Sequence, residues 1–190
     1  MQFPGIDRLI ESVDQAVALG DPESLTCALR KALCELISSN EVTLPECCFE
    51  ACDDSYQRRE LHTSEKYGYS IIAMTWAPGQ GTPIHDHCGM WCVEGVWAGR
   101  IEVAQYELME QSNDMFRFEP RGTIEAGVGT AGSLIPPHEY HTICNASDSE
   151  PAVSVHVYRR RLMNCNIFEA CNDDGWYRRC PRQLSLAEPA

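Results

Sequence analysis

From Gly68 to Tyr158 the chain is a series of short apolar runs, most of them closed by glycine or proline, with no helical period between them. The first, Tyr69-Ser70-Ile71-Ile72-Ala73-Met74-Thr75-Trp76, ends at the turn Pro78-Gly79-Gln80-Gly81. Further strands are predicted around 90–98, 101–108, 114–118, 123–128, 132–136, 140–146 and 151–158. Short strands in such number, without intervening helices, bury their apolar faces only by packing sheet on sheet, so the pattern predicts an all-β sandwich or barrel.

Residues 1–50 have a different period. Ile6, Leu9, Ile10, Val13, Ala16 and Val17 recur at helical spacing, and Gly20 offers a stop. A second helix is predicted to open with Asp21 as N-cap and Pro22 at its first position, with Leu25, Ala28, Leu29, Ala32, Leu33, Leu36 and Ile37 as its apolar stripe. Cys27 and Cys34 lie seven apart in this pattern and read as small core residues. The two helices are expected to cover one end of the barrel. With 190 residues and no linker or repeat, a single domain is expected, with a helical segment over 1–50, a barrel over 51–168 and a tail over 169–190.

A net charge of −13 and a pI near 4.8 speak against nucleic acid or an anionic membrane as partner, so an anionic substrate would need locally placed arginine. No basic, apolar leader opens the chain and no apolar run is long enough to span a bilayer, which predicts a cytoplasmic protein. Eleven cysteines, an odd number without a secretory signal, fit a reducing compartment better than a disulfide scaffold. Cys47, Cys48 and Cys52 lack the paired C-x2-C spacing of a structural zinc site.

Two stretches carry candidate chemistry. In Thr82-Pro83-Ile84-His85-Asp86-His87, an extended chain puts His85 and His87 on one face and Asp86 on the other. Two such imidazoles can share a metal ion, although surface polarity gives the same spacing. The second stretch offers His138 and His141, then Ser154, His156 and Tyr158 alternating with Val153, Val155 and Val157. A hydroxyl, an imidazole and a phenol in a row can pass hydrogen bonds along a line, which suits the lining of a site. Imidazole ligands alone would hold zinc, nickel, copper or iron.

Together these stretches resemble the cupin-type thiol dioxygenases, the family of cysteine dioxygenase and 3-mercaptopropionate dioxygenase, from about Tyr56 to Phe168. His85, His87 and Gly99 match the first motif of that family. His141, Ile143 and Asn145 match the second, at an interval that selects His141 over His138. Ser154, His156 and Tyr158 match the third. The resemblance implies a mainly β, jelly-roll cupin barrel with an N-terminal helical cover, and an Fe(II) ion held by His85, His87 and His141. It implies that a small-molecule thiol and O2 are converted to the sulfinate, with Tyr158 beside the iron and oriented by His156 and Ser154. Cys92, five residues after His87, falls where some members carry a cysteine bonded to the tyrosine, so the resemblance allows a thioether to Tyr158, the alternative being a free core cysteine on an apolar strand. Arg58, in Tyr56-Gln57-Arg58, matches the arginine that clamps the substrate carboxylate. Members preferring 3-mercaptopropionate tend to have glutamine there, so cysteine is the expected substrate. Arg159-Arg160-Arg161 replaces the family's serine or glycine followed by proline. One of these arginines reaching the site would suit mercaptosuccinate. A cupin with another metal and reaction, or a non-catalytic sensing cupin, is the alternative.

Overall fold

A computed structural model describes residues 1–171 and 175–187. Its helices are α1 (Ile6–Val17) and α2 (Pro22–Ser39), followed by a 3-10 turn at Glu46–Phe49. The Asp21 carboxylate accepts from the Ser24 amide at 2.9 Å, Pro22 stands at the first turn, and Asn40 ends α2 in the left-handed region. The strands are β1 (Gln57–Thr63), β2 (Ser70–Trp76), β3 (Ile84–His85), β4 (Cys92–Ala98), β5 (Arg100–Ser112), β6 (Met115–Gly127), β7 (Ala131–Leu134), β8 (His141–Asn145), β9 (Ala152–Tyr158), β10 (Asn164–Ala170) and β11 (Trp176–Gln183).

They form two antiparallel layers. One is a five-stranded sheet in the order β1-β2-β9-β4-β7, and the other is a closed ring, β10-β11-β6-β5-β8-β3. This is a jelly-roll, cupin-type barrel. No helix among the described residues is long and apolar enough to cross a membrane.

β9 explains how the layers stack. Val153, Val155 and Val157 are at most 1% exposed and pack with Leu29 and Leu33 of α2 and with Ile71, Ala73 and Val93. Ser154, His156 and Tyr158 alternate with them and point into the barrel, where Ile72, Met74, Trp76, Ile101, Val103 and Ile143 surround them. Full burial of each valine or leucine is worth about 1.5–3 kcal/mol, so the face under the helices holds this sheet to α1 and α2. Gly95 of β4 lets α2 approach closely, since a Cβ there would lie 3.1 Å from Ile37 Cδ1 and 3.4 Å from Leu33 Cβ.

Four features differ from the sequence pattern. The helices lie over the outer face of the five-stranded sheet and not over one end of the barrel, because the valine row is what they have to cover. Cys27 is exposed and Cys34 half-buried, since the buried face of α2 is Leu25, Leu29, Leu33, Leu36 and Ile37. The predicted strands at 114–118 and 123–128 are one 13-residue strand, β6, paired with a β5 of equal length. Pro120 and Gly122, which resemble a turn, are absorbed where the register shifts opposite Gln105 and Tyr106. Finally, the stretch expected as a tail from 169 carries the end of β10 and all of β11, which pairs with both β10 and β6. Positions 172–174 and 188–190 of that stretch lie outside the described residues.

Leu33→Ala should therefore cost about 2–5 kcal/mol, while Cys27→Ala should stay within about 0.5 kcal/mol of the parent protein. Urea unfolding of the two variants checks this difference.

Candidate active site

β3 is only two residues long, yet it places the first histidine. His85 pairs with Ile167 of β10 on one side and with His141 of β8 on the other. The chain then turns, with Cys88 and Gly89 at positive φ and the Met90 amide donating to the His87 carbonyl at 3.1 Å. Asp86 faces away and accepts from the Asn166 amide at 2.9 Å, the Asn166 side chain at 2.7 Å and the Cys88 amide at 3.2 Å. These bonds tie the loop to β10 and hold His87 inside, 1% exposed.

His85, His87 and His141 converge. Ring centroids are 4.3 Å apart for His85 and His141, 5.1 Å for His87 and His141, and 5.2 Å for His85 and His87. One nitrogen from each lies within 4.8 Å of the others. Burial holds all three imidazoles neutral, and mutual repulsion lowers His87 and His141 further. His141 Nδ1 donates to the Glu139 carbonyl at 2.9 Å, and His85 Nδ1 lies 3.2 Å from the Pro83 carbonyl, which leaves Nε2 of each with a free lone pair. Three neutral, converging imidazoles, two of them beside backbone carbonyls that orient them, have the chemistry of a divalent transition-metal site, so the residues present fit a metal ion. His138 is exposed and outside the group.

A hydrogen-bonded row runs beside the triad. Trp76 Nε1 donates to Ser154 Oγ at 2.9 Å, Ser154 Oγ is 2.8 Å from His156 Nε2, and His156 Nδ1 is 3.3 Å from Tyr158 Oη. The Tyr158 and His87 ring centroids are 5.8 Å apart, so the phenol stands next to the three histidines. Burial, with Arg58 nearby, pushes the His156 pKa down to about 3. Burial raises the Tyr158 phenol well above its usual range. Cys92 is the cross-strand partner of Tyr158, buried, with its Sγ 4.0 Å from His156 Nδ1.

A cavity enclosing roughly 600 Å³, counted out to its open mouth, joins these groups. Its lining includes the three histidines, His156, Tyr158, Tyr56, Met74, Leu162, Cys165, Arg58 and Arg182. Arg58 is 4% exposed; its Nη2 donates to the Leu162 carbonyl at 2.9 Å and its Nη1 to the Ser185 carbonyl at 3.3 Å. Among the described residues, two of its five N–H groups are used this way. The segment after β11 runs along β1, with the Ala187 amide donating to the Arg58 carbonyl at 2.8 Å. Arg159, Arg160 and Arg161 are exposed and none lines the cavity. Arg161 pairs with Glu60 at 2.7 Å and Arg160 Nε contacts Met90 Sδ at 3.2 Å.

The sequence pattern missed Trp76 and Arg182. Trp76 was legible only as a strand residue, although an indole donor ending an apolar strand is a recognisable signal. Arg182 reaches the cavity because β11 sets it opposite Cys165, a long-range pairing with no local signature.

Residues 31–171 match the family model described as "Cysteine dioxygenase type I". The chain belongs to the cysteine dioxygenase type I family. It is 26% identical over 102 residues to the cysteine dioxygenase type 1 of Rattus norvegicus, covering 53% of this chain and 50% of that one. To the Danio rerio protein of the same name it is 24% identical over 117 residues, covering 61% and 58%. It thus spans about half the length of the curated relatives it matches. Among solved structures it is similar to an uncharacterized double-stranded β-helix protein from Klebsiella pneumoniae subsp. pneumoniae, with a TM-score of 0.47 and 16% identity over 64% of this chain and 85% of that one. It is similar also to the Schizosaccharomyces pombe Cnp3 cupin domain, with a TM-score of 0.43 and 13% identity over 56% and 61%.

Alanine at His85, His87 or His141 should each lower bound metal to near zero per chain, while His138→Ala should retain it. Elemental analysis of the purified variants decides between His141 and His138.

Proposed function

We propose that this protein is an Fe(II)-dependent thiol dioxygenase, acting on a small carboxylate-bearing thiol in the reducing cytoplasm, with cysteine as the preferred substrate. The observation that carries the reading is the placement of three neutral imidazoles, a tethered phenol and a buried arginine around one cavity. All eleven cysteines are free, which supports the reducing compartment.

The overall reaction is R–SH + O2 → R–SO2⁻ + H⁺, which needs no external reductant. An Fe(II) ion held by His85, His87 and His141 would supply the coordination positions at which thiolate and O2 combine. The protein's own groups then have separate tasks. Arg58 binds the substrate carboxylate through its spare N–H groups, its guanidinium already fixed by two carbonyls. Ser154 and Trp76 fix the His156 ring, and His156 fixes the Tyr158 hydroxyl, which is left to hydrogen-bond the reacting atoms. Met74 and Leu162 give the cavity apolar walls that limit water at the sulfur.

A dicarboxylic thiol such as mercaptosuccinate is the second reading, because Arg182 brings a further guanidinium to the mouth of the same cavity. 3-Mercaptopropionate would use Arg58 alone. Oxygen uptake by the iron-loaded protein, screened against cysteine, 3-mercaptopropionate, cysteamine and mercaptosuccinate, tests all of these. Cysteine should be consumed fastest, with one O2 per sulfinate. Arg58→Ala should lower kcat/KM for every carboxylate thiol by roughly 30-fold, mainly through KM, as loss of a charge-assisted pair of about 2 kcal/mol predicts. Arg182→Ala should affect only a dicarboxylate. If no thiol is consumed, the protein is a cupin of another reaction or a sensing cupin.

We also assign a thioether between Cys92 Sγ and the Tyr158 ring carbon next to the hydroxyl, on the strength of their cross-strand pairing. Forming that C–S bond removes one hydrogen from sulfur and one from the ring, and O2 takes up both electrons and both protons. Protein turned over with substrate should show a second, faster band on a denaturing gel, lighter by two hydrogens. Cys92→Ser should lack the band and keep its metal.

A further inference from the structure

The network around Tyr158 has one member that the reaction above does not use. Glu94 sits in β4 between Cys92 and Val96 on the inward face, directly opposite His156 of β9. It is 8% exposed, and its Oε2 has no hydrogen-bond partner. That oxygen nevertheless lies 3.3 Å from His156 Nδ1, off the line of a hydrogen bond. Its distance equals that of Tyr158 Oη to the same nitrogen.

Counting protons on the row fixes what Nδ1 carries. The Trp76 indole is a donor only, so it occupies a lone pair of Ser154 Oγ. The only other partner of that hydroxyl among the described residues is His156 Nε2 at 2.8 Å, so the Ser154 proton goes there. His156 is neutral, and its single N–H is therefore on Nδ1. One N–H faces two oxygens.

We infer that Glu94 is a positioning residue that competes with Tyr158 for the hydrogen bond of the His156 Nδ1–H, so that its charge state decides whether the Tyr158 hydroxyl keeps that bond. A protonated carboxyl is a weak acceptor and leaves the N–H to Tyr158. A carboxylate is a strong acceptor and draws it away. The inference rests on the dioxygenase reading only in naming Tyr158 as the group that acts.

Glu94 also has a route to exchange protons. A second cavity, sharing only Ile143 with the first, is lined by Glu94, Ser154, Gln105, Ser133 and Gly132. Gly132 is the β7 partner of Glu94, and a Cβ there would meet nothing within 4 Å, so the carboxyl side of β4 is left open. The charged and titratable groups around Glu94 are few. β9 contributes His156 and Tyr158, and its own strand contributes Cys92. Arg58 of β1 acts on both His156 and Tyr158. β5 and β7 contribute only Gln105, Gly132 and Ser133, and α2 packs on the opposite face of β4. With no cation of its own, the buried carboxyl is pushed up to about 7. The sign follows: as pH rises through neutrality, Glu94 ionises, accepts the hydrogen bond of the His156 Nδ1–H, and the Tyr158 hydroxyl loses it.

The test reads His156 in the metal-free protein. In protein labelled with 15N-histidine, the His156 resonance, assigned by its loss in His156→Gln, is followed across about pH 5 to pH 9. The wild-type Nδ1 shift should move in one step near neutrality. Glu94→Gln should abolish the step, and Glu139→Gln, which removes another buried carboxyl, should keep it. A flat wild-type titration, or a step that survives in Glu94→Gln, overturns the proposal. In the iron-loaded enzyme, the wild-type kcat should fall between about pH 6 and pH 8, and Glu94→Gln should lose that fall with KM within about twofold. A protein that shows the step but oxidises no thiol defeats the dioxygenase reading alone; thiol oxidation with a flat titration defeats this inference alone.

Discussion

β9 is buried on both faces, and the rest of the architecture follows from that. Valine lines one side and hydroxyl, imidazole and phenol the other, and neither row lies on the protein surface. The helices supply the apolar partner for one row. The barrel supplies hydrogen-bond partners for the other. A one-residue slip would put His156 under α2 and a valine beside the three histidines, so the register is held by energy on both faces at once. Pairing on both edges repeats that constraint: Ile72 and Glu94 flank His156, while Ser70 and Cys92 flank Tyr158.

A polar row in such a place is tolerated only if its groups are satisfied, since an unpaired buried donor or acceptor costs about 1–3 kcal/mol. Most of them are. Trp76, Ser154, His156 and Tyr158 form a chain in which each atom has a neighbour, and Asn145 donates to the Trp76 carbonyl at 3.1 Å, tying β8 to the end of β2. Five buried side-chain atoms lack a hydrogen-bond partner among the described residues: Glu60 Oε2, which is ion-paired with Arg161, Ser70 Oγ, His87 Nδ1, Glu94 Oε2 and Glu139 Oε2. Of these, His87 belongs to the triad and Glu94 adjoins the Tyr158 row.

Much of this was legible from local pattern. His85 with His87, and Ser154 with His156 and Tyr158, are visible because a period of two assigns residues to faces without knowledge of the fold. The period does not say which face is dry, however. A single glutamate in Val93-Glu94-Gly95 therefore reads as a solvent-facing residue, although Glu94 is buried. Arg182 was hidden for a different reason: its position depends on β11 pairing with β10, and nothing in a run of arginines distinguishes that site from Arg159 to Arg161. The fused β6 was misread because Pro120 and Gly122 are turn residues elsewhere, and a register shift opposite Gln105 and Tyr106 is what lets the strand continue. The structure brings His85, His87 and His141 together, and Arg58 into the same cavity, as local spacing and the Tyr56-Gln57-Arg58 motif led one to expect; Arg182 was missed because it comes from a strand at the far end of the chain.

That division bears on how an acidic protein can take an anionic substrate. With a net charge of −13, the far field repels a carboxylate. Screening at physiological salt limits that repulsion to about 8 Å from each surface charge, so what decides binding is the charge inside the cavity. There Arg58 is buried and held by the Leu162 and Ser185 carbonyls, which orient it without neutralising it, and Arg182 stands at the mouth. The other arginines near the site end in surface contacts, Arg161 with Glu60 and Arg160 with Met90. Of the two guanidiniums that line the cavity, Arg58 is the buried one, and a guanidinium out of bulk water attracts a carboxylate far more strongly than one on the surface.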